Sequence, residues 1–149
     1  MPVIILETFL SAPVQDCFDA ARNLDLHQGS MKHTGEKAVA GKLSGLAESG
    51  DVITWEAVHF GVRQRLTVEI GKMNPPYYFE DFMVKGAFAE MHHAHFFDVM
   101  PDGTRMRDVF RFRAPLGILG RIAEGLFLTR YMRNLLLTRN QFLKQIVDG

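Results

Sequence analysis

The sequence predicts an α+β domain: an antiparallel sheet of about seven strands curving around one long C-terminal helix. Three observations lead there. Most of residues 3–113 fall into short runs that alternate apolar with polar, separated by Gly, Pro, Asn and Asp, as strands joined by hairpins do. Residues 115–147 instead carry Leu119, Ile122, Leu126, Met132, Leu135, Leu136, Leu143 and Ile146 mostly three or four apart, which is one helical stripe. No second helix of comparable length is available, so that stripe has only a sheet to bury against.

The elements follow in order. Val3 to Leu10 is an apolar, β-branched strand ended by Ser11-Ala12-Pro13. Pro13 opens a short helix from Val14 to Asn23, with Val14, Cys17, Phe18 and Ala21 on its inner side. Leu24 to Ser30 holds a second helical turn, and Gly29 to Thr34 reads as a loop. Lys37 to Ala40 is a weak strand. Gly41, Gly45 and Gly50 lack the Gly-Lys-Ser/Thr ending of a phosphate loop and read as turns. Asp51 to Phe60 is a strand with Ile53, Trp55, Ala57 and His59 on one face. Val62 to Ile70 alternates again, and Tyr77 to Val84 and Ala89 to Met100 are the next two strands. Pro101-Asp102-Gly103 is a hairpin turn. In the last strand, Met106, Asp108, Phe110 and Phe112 oppose Arg105, Arg107, Arg111 and Arg113. The arginines take the water side, so the core side carries an aspartate. In the terminal helix Arg121, Arg133, Asn134, Asn140, Gln141, Lys144 and Gln145 read as the polar side, and Gly117, Gly120 and Gly125 suggest close approach of a strand or ligand, or a helix end that moves.

Composition bounds the function. Hydrophobic residues make up 47% and charged residues 23% of the 149-residue chain, as in an ordinary globular protein, and residues 1–149 read as one domain. The formal net charge is zero, so nothing draws the chain as a whole to nucleic acid. Residues 105–149 carry 9 Lys/Arg against 3 Asp/Glu, and Arg121, Arg130, Arg133, Arg139 and Lys144 form a basic helix face open to peripheral contact with an anionic membrane or a partner. Arg121, Glu124, Arg130 and Arg133 interrupt the only stretch resembling a membrane span. A single cysteine excludes an internal disulfide, and no signal peptide is evident; a cytoplasmic protein is expected.

Alternation also assembles a candidate site. His59 shares a face with Trp55, His93 and His95 with Met91 and Phe97, and Asp108 with Met106 and Phe110. If those faces converge, three imidazoles and a carboxylate meet inside an apolar interior, where each unpaired polar group costs roughly 1–3 kcal/mol. They must bond one another, a ligand or water. His-x-His is a known metal-ligand spacing, yet no metal and no cofactor is expected here. Three roles stay open: polar anchors for a ligand, a general base with His93, His95 and Asp108 as catalytic candidates, or a network that braces the sheet. Twelve Phe and eight Met supply bulky, adaptable walls for a cavity. The expected wall residues are Trp55, Met83, Met91, Phe97, Met106 and Phe110 from the sheet, with Ile122 and Leu126 from the helix.

Several short motifs run in register with this order: His59-Phe60-Gly61, Asn74-Pro75-Pro76, Phe79-Glu80-Asp81, Gly86-Ala87-Phe88, His93-Ala94-His95-Phe96-Phe97, Gly103-Thr104, Asp108 and Pro115-Leu116-Gly117. Together they resemble a bacterial branch of the START / Bet v 1-like (SRPBCC) superfamily over residues 3–147. The resemblance implies the helix-grip fold and a hydrophobic or aromatic small molecule, or a lipid, carried between sheet and helix. It also implies an alternative, polyketide cyclase or aromatase chemistry. Fold alone does not choose between them.

Overall fold

The computed structural model describes all 149 residues. Seven strands form one curved antiparallel sheet: β1 (Val3–Leu10), β2 (Lys37–Gly41), β3 (Val52–His59), β4 (Val62–Asn74), β5 (Tyr78–Lys85), β6 (Glu90–Met100) and β7 (Gly103–Arg113). Their spatial order is β1-β7-β6-β5-β4-β3-β2. All strands from β2 to β7 are therefore sequential neighbours, and β1 closes onto β7, with Leu6 opposite Asp108. Two short helices, α1 (Val14–Ala21) and α2 (Leu24–Ser30), bridge β1 to β2. Asn23 starts α2 by accepting hydrogen bonds from the Asp25 and Leu26 amides, which the first turn cannot satisfy internally. The segment expected to be a loop is more regular than that: α2 runs to Ser30, and Lys32–Thr34 forms a 3₁₀ turn.

The C-terminal helix spans 31 residues in three parts: α3 (Ile118–Ala123), a π turn (Glu124–Leu128) and α4 (Thr129–Asp148). It starts at Ile118 rather than at Pro115, because Leu116 and Gly117 both adopt positive φ, at 73° and 55°. Gly120 is crowded by the chain's own preceding turn, where a Cβ would clash with the Pro115 carbonyl oxygen, and not by a strand. Nothing crowds Gly125.

Two expectations for this helix fail. Ile122 and Leu126, assigned to the cavity wall, are 52% and 73% exposed. In an uninterrupted α-helix Ile122 would lie within about 40° of Leu136, at roughly 100° per residue. The π turn inserts a residue between them and rotates the first turns by about 100°, which carries Ile122 and Leu126 away from the sheet. Conversely, Arg139 and Asn140, assigned to the polar and basic faces, are 5% and 2% exposed. They lie three and four residues after Leu136 and before Leu143, on the stripe itself. Arg121, Arg130, Arg133 and Lys144 remain outside. No helix is long and apolar enough to cross a membrane.

The core is divided. One apolar cluster contains Trp55, Met91, Phe110, Phe112 and Leu136; a second contains Phe18, Phe79, Phe97, Met106 and Leu143. Each element that crosses between them changes character at the same level. Strand β7 reads Phe112, Phe110, Asp108, Met106; β6 reads Met91, His93, His95, Phe97; α4 reads Leu136, Arg139, Asn140, Leu143. A polar band thus separates two apolar halves.

Candidate functional site

The polar band is built around Asp108, whose side chain is fully buried. The alternation of β7 points it inward, and the register sets it directly opposite His95 on β6. His93 Nε2 donates to its Oδ1 at 2.8 Å, Arg139 Nη1 donates to the same oxygen at 3.1 Å, and Asn140 Nδ2 donates to Oδ2 at 2.7 Å. Burial by itself would raise this carboxyl, but the hydrogen bond from His93, the neighbouring His95 ring and the Arg139 charge hold it well below the usual carboxylate range.

Asp81 completes the group from β5, two residues along the inner face from Phe79 and opposite His93. It accepts from His95 Nε2 at 2.9 Å. Burial raises its carboxyl and the His95 bond lowers it, with a net depression. The terminal nitrogens of Arg139 are fully committed, to Asp108 and the Asn140 amide oxygen on one side, and to the Ala21 carbonyl and His95 Nδ1 on the other. Burial, with His95 stacked 3.8 Å away, pushes the His93 imidazole down to about 4 despite its bond to Asp108. His93 is therefore neutral near pH 7, with its proton on Nε2. Its Nδ1 makes no hydrogen bond, and it is not among the sealed, partnerless polar atoms.

On the Trp55 side of this band lies a cavity of about 380 Å³, between the sheet and α4. Asp81, His93, His95 and Arg139 form one wall, and most of the rest is apolar. Of the residues expected there, Trp55, His59, Met91, His93, His95 and Phe110 line it. Met83 packs beside the first apolar cluster, Asp108 sits behind the histidines, and Phe97 and Met106 belong to the second cluster beyond the polar band. His59 does not join His93 and His95. It stands three strands away on β3, where its Nδ1 bonds the Tyr131 hydroxyl at 2.6 Å. Burial lowers the His59 imidazole.

Above His59, the two-residue turn Phe60-Gly61 joins β3 to β4 with φ of 53° and 74°. Gly61 takes that conformation freely, whereas Phe60 does so against its side-chain sterics. Its ring packs 4.4 Å from Tyr131 and 5.6 Å from Phe127, clasping the hairpin to the helix.

Asp81, Arg139 and Asn140 were missed from the sequence. Their signals were present: Asp81 shares the parity of Phe79, and residues 139 and 140 hold the stripe between Leu136 and Leu143. The ligand-capable atoms of Asp81, His93 and His95 lie within 4.8 Å of one another. However, Arg139 already supplies a positive charge to the group, and His95 Nε2 is engaged by Asp81. The donor set is that of a self-satisfied network more than of an open metal centre.

No sequence family and no curated protein matches the chain. Solved structures do match over nearly its full length. TTHA0849 from Thermus thermophilus superposes with a TM-score of 0.79 at 20% identity, covering 98% of this chain and 97% of that one. The ginseng major latex-like protein 151 from Panax ginseng gives 0.68 at 13% identity, covering 99% and 98%. Ara h 8.0201 gives 0.65 at 12%, covering 95% and 97%. At such identities the likeness is one of fold. This chain has the α+β helix-grip fold of the Bet v 1-like proteins.

Proposed function

We propose that this protein binds a hydrophobic or aromatic small molecule, as carrier or sensor, in the cavity between sheet and helix. The cavity itself carries the reading. Its 380 Å³ would hold about a dozen waters at roughly 30 Å³ each, far more than a packing defect in a close-packed interior. The size falls within the range of small-molecule sites, and apolar walls with a few converging polar groups are what such sites have. A dry void of this size would forgo packing across the whole first cluster, whereas a bound hydrophobe restores it.

Binding is favoured over catalysis by the histidine. A general base working near neutrality is best matched by a pKa close to that pH. His93, held at about 4, is a poor proton acceptor there but a good hydrogen-bond acceptor. His95 has both ring nitrogens turned to protein groups.

A thermal-shift panel of hydrophobic and aromatic compounds tests the proposal. A ligand at a hundredfold excess over its dissociation constant is expected to add about 2.7 kcal/mol of stability, a rise of several degrees in Tm. Lack of any shift across lipids, flat aromatics and polyketide-like compounds would count against a binding cavity.

A further inference from the structure

We propose that the ligand presents a hydrogen-bond donor, most simply an alcohol or phenol hydroxyl, to His93 Nδ1 and the Asp81 carboxylate, and that carboxylates of the same shape are rejected. This rests on the cavity being a site for a hydrophobe and adds the chemistry of the ligand's polar end.

The polar wall is one-sided in its hydrogen bonding. Most of its donors are spent inside the protein, Arg139 Nε being the exception. His93 Nε2 and Asn140 give theirs to Asp108, His95 Nε2 gives its proton to Asp81, and both terminal nitrogens of Arg139 are taken. Acceptors remain. His93 Nδ1 is a free lone pair once Nε2 carries the proton, and it is not sealed off. The Asp81 carboxylate has lone pairs beyond the one facing His95, and it lines the cavity. Asp81 and His93 face each other across β5 and β6. One ligand-capable atom from each of Asp81, His93 and His95 lies within 4.8 Å of the others, which sets the Asp81 and His93 side chains next to each other at the cavity wall. A hydroxyl supplies what the wall lacks. A carboxylate brings only acceptors and sets its charge against that of Asp81 in a mostly apolar pocket.

Fluorescence titration with three probes of one shape tests this: 1-hydroxypyrene, pyrene and pyrene-1-carboxylate, near pH 7. The hydroxyl compound is expected to bind about five- to tenfold tighter than pyrene, the effect of one hydrogen bond to a buried acceptor. It is expected to bind more than about tenfold tighter than the carboxylate. In Asp81→Asn, whose amide can turn a donor to the cavity, the gap between hydroxyl and carboxylate should narrow. Equal binding of all three, or preference for the carboxylate by the wild-type protein, would overturn the proposed polarity and leave the cavity reading standing. Failure of all three to bind would overturn both.

Discussion

Replacing Asp108 by alanine is expected to destabilise the fold by about 3–5 kcal/mol, the usual cost of removing one partner of a buried charge pair. The change leaves the Arg139 guanidinium buried beside a vacated site and takes the acceptor from His93 Nε2 and Asn140 Nδ2. The surface pair Asp98–Arg105 is the internal control. At 2.9 Å it is as short as the buried contacts, but both side chains are more than a third exposed. Its loss should cost no more than about 1 kcal/mol. Adding Arg139→Met to Asp108→Ala should restore part of the stability, because the stranded charge goes with it. Urea unfolding of the four proteins measures this. An Asp108→Ala protein within about 1 kcal/mol of wild type would show that the band does not hold the two core halves together.

Stability should also fall on mild acidification, above the range in which carboxylates titrate. The imidazole of His93 takes up a proton near pH 6.5 in the unfolded chain but only near 4 in the folded one. Between those values the unfolded chain binds more protons, so stability drops as pH falls from about 6.5 to 4. The full window corresponds to about 3 kcal/mol. His59, lowered by burial, adds to the loss with the same sign. Asp81 and Asp108, held below 3.8 when folded, contribute stability that is present above that pH and lost as pH falls through their folded values. Urea midpoints at pH 7 and 4.5 give the readout. His93→Gln, whose amide still donates toward Asp108, should show a smaller drop between the two. A wild-type protein equally stable at both pH values would contradict the buried, neutral His93.

Much of this fold was readable because strands and helices have different periods. The alternation of Met106, Asp108, Phe110 and Phe112 against four arginines fixed the inner face of β7 before any packing was known. The candidate site was read less completely, and for identifiable reasons. Arg139 and Asn140 were sorted by chemical type when their position between Leu136 and Leu143 put them inside. Burial of a guanidinium makes sense only once Asp108 is seen to face it, and 31 residues of sequence separate those two. Alternation assigns a face and not a neighbour. His59 is on the inner face but three strands from His93, and Phe97 and Met106 are on that face but beyond the polar band. The exposure of Ile122 and Leu126 depends on the π turn, a local change of winding with no sequence signature as plain as a proline.

The occupant of the cavity is open to direct observation. Protein purified from its native host, without detergent or organic solvent, would be examined by native mass spectrometry and then denatured and extracted. A mass excess of one small molecule per chain, lost on denaturation and recovered as a hydroxyl-bearing hydrophobe, is the expected result. A bare chain mass under the gentlest conditions, together with a crystal structure in which the space beside Trp55 and His93 is closed by side chains, would contradict the binding function.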